Sequence, residues 1–183
     1  MNKQQVILVN EQDDSIGLME KLEAHRKGAL HRAVSVFVFN SRGELLMQKR
    51  ASGKYHGGGL WTNTCCTHPS DGESSLECAN RRLKEEMGIE TQLVEQFSFI
   101  YRSEVENGLI EHEFDHVFFG IYDGTVALNP KEAEDHTFAP LVKVFTDAEN
   151  QPERYSIWFR IIIDKFRDHL TGMEHRPQRT VGV

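Results

Sequence analysis

The sequence is poor in cysteine, has no long apolar run and carries no excess of basic charge. Three cysteines in 183 residues exclude a disulfide framework as the organising device. Their odd number points to a reducing compartment, in which thiols serve catalysis, metal binding or packing, so a cytoplasmic chain is expected. The N-terminal apolar run around Val6 to Val9 is far shorter than the core of a signal peptide, and no later segment approaches the length of a membrane span. The chain is therefore expected to be soluble, with no membrane partner. Lys and Arg number 21 against 28 Asp and Glu, a formal net charge of −7. The broad basic face with which a nucleic-acid binder displaces counterions is missing, so no nucleic-acid partner is expected. A small anionic substrate stays compatible if metals or a few local cations hold it. Internal repeats, low-complexity tracts and linker-like stretches are also absent, and residues 1–183 are expected to form a single domain.

The segments VSVFVFN and ELLMQKR alternate as strands around SRG, a hairpin in which Gly43 supplies the turn. A glycine-rich loop, KYHGGGLWTN, precedes the clearest helix signal, SSLECANRRLKEEMG. There Ser74 and Glu77 form a capping box, Leu76, Ala79, Leu83 and Met87 make an apolar stripe, and Gly88 suits the C-terminal cap. FSFIYRSE and EHEFDHVFFGIYDG alternate as strands, and RYSIWFRIIIDKFRDHL has the apolar spacing of a closing helix. From about residue 171 the tail TGMEHRPQRTVGV is expected to be loose. Mixed strands with helices on the faces predict the α/β (α+β) class.

Several constellations admit two readings. Arg82 and Glu86 share one helix face and Arg81 and Glu85 the next, as in a solvated helix with ion pairs. The same oxygen-rich surface would also suit Mg2+. In LIEHEFDHV, alternation sends Glu111, Glu113 and Asp115 to one strand face. An exposed acidic face is the plain reading, and it is preferred for Asp115; two carboxylates about 6 to 7 Å apart along a strand could instead share a metal. His25, His31 and His68 are each ordinary surface histidines alone, yet with Glu111 and Glu113 they would make a mixed nitrogen and oxygen site for Zn2+ or Mn2+. Trp61 and Trp158 read as core residues. Cys65 and Cys66 point to opposite sides of an extended segment, so only one of them can face a small substrate.

From Thr67 to Ile89, THPSDGESSLECANRRLKEEMGI resembles the Nudix box, with Glu73, Arg81, Leu83, Glu85, Glu86, Gly88 and Ile89 at its spaced positions. Thr67 stands in place of the box's first glycine and Arg82 in place of the first glutamate of its arginine-glutamate pair. A cation there replaces a carboxylate that Nudix hydrolases use to gather metals. With WTNTCCTHP just upstream, the sequence resembles the type I isopentenyl-diphosphate delta-isomerases, a Nudix-fold family, from VILVNEQD to the C-terminal helix.

That resemblance implies a Nudix-like α/β/α sandwich with a mixed β-sheet, and interconversion of isopentenyl and dimethylallyl diphosphate in isoprenoid biosynthesis. It implies Cys66 and Glu113 as the catalytic acid/base pair, with Tyr101 assisting Glu113. His25, His31, His68, Glu111 and Glu113 would bind a divalent metal, Mn2+ or Zn2+ or else Mg2+. Glu86 would hold a Mg2+ that reaches the diphosphate. Lys21, Arg50, Lys54 and Arg82 fall where the family contacts diphosphate oxygens, and Trp158 where an indole faces the hydrocarbon. The loop YHGGGLW lacks a proline that many relatives carry before the glycine. The favoured mechanism has Glu113, with Tyr101, deliver a proton to the alkene while Cys66 takes one as thiolate. A Nudix pyrophosphohydrolase of nucleotide-like diphosphates and a non-catalytic metal-dependent binding module are the rivals. A monomer or a homodimer fits equally.

Overall fold

The computed structural model describes residues 4–54 and 56–173. At its centre runs β3 (His31–Phe39), a strand that is buried along nearly its whole length. Such a strand needs apolar side chains on both faces, and VSVFVF provides them. Val34, Val36 and Val38 face one core, whereas Phe37 and Phe39 face the other.

β3 pairs in parallel with β8 (Leu109–Ile121), from His31 opposite Glu113 to Phe39 opposite Ile121. β8 in turn forms an antiparallel pair with β7 (Val94–Val105). Along β3, β6 (Cys65–Thr67) pairs antiparallel with Val34 to Val36, and β4 (Leu45–Arg50) with Val38 and Phe39. β1 (Gln5–Val9) and β2 (Ser15–Glu20) extend the sheet at the His31 end, while β5 (Trp61–Thr62) and β9 (Ala133–Ala139) join β4. The expected hairpin is present, with Gly43 at φ 76 in its turn. Parallel and antiparallel pairs in one sheet make it mixed.

Helix α2 (Ser75–Met87) covers one face. Its capping box closes through Ser74 and Glu77, and Gly88 ends it in the left-handed region at φ 67. The buried face runs through Cys78, Ala79, Leu83, Glu86 and Met87. Leu76, expected in that stripe, is 44 % exposed; the buried face is turned toward Cys78 and Glu86, which leaves Leu76 outside it. Helices α3 (Leu141–Asn150), α4 (Ile157–Lys165) and α5 (Arg167–Thr171) cover the other face, packing Leu141, Val144, Phe159 and Ile162 against Phe37, Val117 and Phe119. The result is the α/β/α sandwich. The single closing helix expected from the sequence is broken at Phe166, whose φ of −121 leaves the helical region between α4 and α5. Residues 171–173, the start of the tail expected to be loose, are ordered, since Thr171 ends α5 and Met173 packs into the core. Residues 174–183 of that tail lie outside the described residues.

Candidate active site

The register of the strands collects the polar residues. Residues directly opposite across paired strands project to the same face. His31, Glu113 and Tyr101 form one such row, Ala33, Asp115 and Phe99 the next, and Ser35, with Cys66 across from it, a third. Further along that face the row becomes Phe37 and Phe119. A site thus opens where an apolar core face ends.

Helix α1 (Lys21–Lys27) is N-capped by Glu20 and places Lys21 and His25 four residues apart, one turn along a single face. A cleft of about 360 Å3, partly open to solvent, is lined by Lys21, Arg50, His56, Cys66, His68, Glu111, Glu113 and Trp158, among others.

The five expected metal ligands converge. His25 Nδ1 donates to Lys21 O at 2.7 Å and His31 Nδ1 to Ala29 O at 2.8 Å. A carbonyl can only accept, so each ring carries its proton on Nδ1 and can turn a bare Nε2 inward. His31 Nε2 lies 3.2 Å from His68 Nε2, which lies 2.9 Å from Glu113 Oε1. His25 Nε2 lies 3.3 Å from Glu111 Oε2. Two nitrogen lone pairs and two carboxylates facing inward repel one another unless protons or a cation stand between them. The donor set therefore fits a divalent ion with mixed nitrogen and oxygen ligands, and His25, His31, His68 and Glu113 present atoms within 4.8 Å of one another.

Electrostatics follow from burial and neighbours. Burial opposes charge on Glu113, but the His31 and His68 imidazoles beside it outweigh this and hold the carboxyl well below its ordinary range. Burial, with Lys21 nearby, pushes His68 well down, toward the neutral ring. For His25, burial is outweighed by Glu111, and its affinity for a proton rises. Tyr101 donates to Glu113 Oε2 at 2.6 Å, and burial beside that carboxylate drives the phenol well up, so it stays protonated. Burial pushes the Cys66 thiol up to about 12, with Arg50 pulling the other way from Nη1 at 3.7 Å. The protein's own groups thus place the proton on Cys66 and leave Glu113 charged.

Arg50 also stacks on Trp158, with its guanidinium carbon 5.0 Å from the ring centre. The expected diphosphate contacts divide into two groups. Lys21 and Arg50 line the cavity. Lys54 and Arg82 both pair with Glu132, a residue that sequence reasoning did not single out. Glu86 is buried on α2, where Oε1 accepts from Arg82 at 2.7 Å and Oε2 from Gln48 at 3.1 Å. The ion-pair reading of Arg82 and Glu86 is thus realised. The oxygen of the Gln48 amide, Oε1, is buried without a hydrogen-bond partner, as fits a cation site that uses Glu86.

Asp115 corrects an expectation. Read as an exposed strand acid, it is 1 % exposed, accepts from Ser35 Oγ at 2.7 Å, and has its carboxyl raised well above the ordinary range by burial and by Glu113. The acidic face of β8 lies between the histidine cluster and the core under α3 to α5, with Val117 and Phe99 packed there, and alternation within one strand cannot reveal what packs over it. Two further residues were missed, Ser35 and His56. Ser35 acquires its place only through the pairing of β3 with β6, and a histidine within a glycine-rich loop carries no periodic signal at all.

Comparison with known proteins gives the family of the chain. The NUDIX domain family matches residues 29–159. "Isopentenyl-diphosphate Delta-isomerase 2" of Aromatoleum aromaticum is 53 % identical over 161 residues, covering 88 % of this chain and 85 % of that protein. "Isopentenyl-diphosphate Delta-isomerase" of Pectobacterium atrosepticum is 44 % identical over 175 residues, covering 96 % and 98 %. Among solved structures, DR0079 from Deinococcus radiodurans aligns with a TM-score of 0.75 at 19 % identity, covering 88 % of this chain and 98 % of that one, a likeness of fold alone. By the domain match and by these relatives, the chain belongs to the Nudix-fold family of isopentenyl-diphosphate Delta-isomerases.

Proposed function

We propose that the protein interconverts isopentenyl and dimethylallyl diphosphate, an isomerisation that moves a double bond and leaves the diphosphate intact. The observation that carries this reading is the meeting of Cys66, Glu113 and Trp158 on one small cavity. Moving the double bond adds a proton at one carbon and removes another two carbons away, through a tertiary carbocation. It needs one group that gives a proton, another that takes one, and a surface that tolerates transient positive charge between them.

Cys66 and Glu113 are the giving and taking pair. With a thiol at Cys66 and a carboxylate at Glu113, sulfur gives and Glu113 takes; the reverse state serves the opposite direction, including the expected case in which Glu113 delivers the proton. The Tyr101 hydroxyl, hydrogen-bonded to Glu113 Oε2, fixes the orientation of that carboxylate. The Trp158 ring face stabilises the cation by about 2 kcal/mol when water is excluded.

His25, His31, His68, Glu111 and Glu113 would hold a divalent ion, Mn2+ or Zn2+ or else Mg2+, and Glu86 a Mg2+ near the diphosphate. When bound, such ions supply the positive charge that favours a thiolate at Cys66 and balances phosphate oxygens. Lys21 and Arg50 draw the diphosphate to the cavity mouth. Lys54 and Arg82 contribute once its oxygens compete with Glu132 for them.

Incubation with isopentenyl diphosphate in deuterated water, followed by mass spectrometry, tests the proposal. Dimethylallyl diphosphate carrying deuterium is the expected product. Release of inorganic phosphate without isomer would overturn the reading in favour of a pyrophosphohydrolase.

A further inference from the structure

His56 lies in the glycine-rich loop between β4 and β5, outside the five residues expected to hold the metal. It is buried to 8 % exposure and lines the same cavity. Its Nε2 meets Glu111 Oε1, while the other oxygen of that carboxylate, Oε2, is the one 3.3 Å from His25 Nε2. The two imidazoles therefore approach one carboxylate from its two oxygens, with ring centres 5.7 Å apart. The loop backbone is held at this point, since Arg50 Nη2 donates to His56 O at 3.3 Å.

His25, His56 and Glu111 present ligand atoms within 4.8 Å of one another, and so do His25, His31, His68 and Glu113. Donors bound to one ion at about 2.1 Å can stand no more than about 4.2 Å apart, so each group needs only a small inward movement to share an ion. His25 belongs to both groups, which ties them to one centre. We propose that His56 is a further ligand of this metal, a fourth imidazole that completes a six-coordinate shell with His25, His31, His68, Glu111 and Glu113. Four nitrogens and two carboxylate oxygens suit a first-row divalent transition metal better than Mg2+, which prefers oxygen. The inference rests on reading the histidine cluster as a metal centre.

Co2+ is the probe, because its visible absorption reports coordination number and donor type without any need for turnover. The wild-type chain and the variants His56→Ala and His56→Gln are titrated with Co2+ to saturation, with circular dichroism confirming the fold. Both variants are expected to show displaced and altered Co2+ bands and an affinity lowered about tenfold or more. Added imidazole is expected to return His56→Ala toward the wild-type spectrum. Wild-type bands in both saturated variants would overturn the assignment. Wild-type bands in His56→Gln alone would overturn it too, assigning His56 to positioning Glu111 through a hydrogen bond. A wild-type chain that takes up no Co2+ would overturn the metal centre itself, whereas an isomerase that passes the deuterium test with unchanged variant spectra would lose only the His56 ligand.

Discussion

Cys65 and Cys66 are adjacent in sequence and occupy different environments. Cys65 is fully buried against Cys78, Ala79 and Leu83 of α2, in a core of valines and leucines with a single role, to exclude water. Cys66 faces the opposite side of the same strand, opposite Ser35 and beside Arg50, at the edge of a cavity lined by histidines and glutamates. The contrast continues along β3 and β8. The face toward α2 stays apolar through Val34, Val36, Val38 and Phe118, whereas the other face passes from Phe37 and Phe119 to Ser35, Asp115, Glu113 and His31. One sheet thus carries a dry side that supplies stability and a side whose polar end is arranged for chemistry. Mutations should separate the two.

The largest effect is expected from Cys66→Ala. It should lower isomerase turnover by about 10²- to 10⁴-fold, the usual contribution of a proton-transfer group, with no change in the melting temperature beyond a few degrees. Cys65→Ala should do the reverse, keeping turnover and losing about 1 kcal/mol of stability in urea titration. Near wild-type turnover in Cys66→Ala would erase the distinction between the two thiols.

On the dry side, Leu83→Ala should destabilise by about 2 to 5 kcal/mol because it leaves a cavity at a fully buried position. The deuterium-incorporation rate of the folded fraction should stay unchanged. A comparable loss of turnover in that fraction would mean that the α2 core also shapes the chemistry.

Tyr101→Phe sharpens the polar side. It removes only the hydroxyl that donates to Glu113, a bond to a charged group worth about 1.5 to 3 kcal/mol, so turnover should fall roughly 10- to 100-fold. Melting temperature is expected to fall by only several degrees, since the ring still packs on Phe99.

The smallest effect concerns a pair outside both regions. Glu73 binds Arg81 through two hydrogen bonds, of 2.6 and 2.8 Å, which hold its carboxyl below the ordinary range. A depressed folded-state value contributes stability above the unfolded value and loses it as pH falls through the folded one. Glu73→Gln should therefore cost about 1 kcal/mol in urea titration at pH 7, a figure reduced for the exposure of Arg81, and clearly less at pH 3. An equal cost at both pH values would assign the effect to packing.

Local pattern alone determined much of this protein. The β3–β4 turn at Gly43, the caps of α2 at Ser74 and Gly88, and the opposite facing of Cys65 and Cys66 depend on dihedral preference and on periods of two or 3.6 residues, which any short window contains. The roles proposed for His25, His31, His68, Glu111 and Glu113 came through family resemblance, because no spacing joins residues so far apart in the chain. Tertiary structure alone decided the rest. Packing over the sheet face buried Asp115, parallel pairing of β3 with β8 set His31 beside Glu113, and the pairing of β3 with β6 brought Ser35 to Cys66. Glu132 reached Lys54 and Arg82 across the fold, and the loop brought His56 to Glu111. These are contacts between elements distant in sequence, fixed by strand register and loop path, and a linear pattern encodes neither.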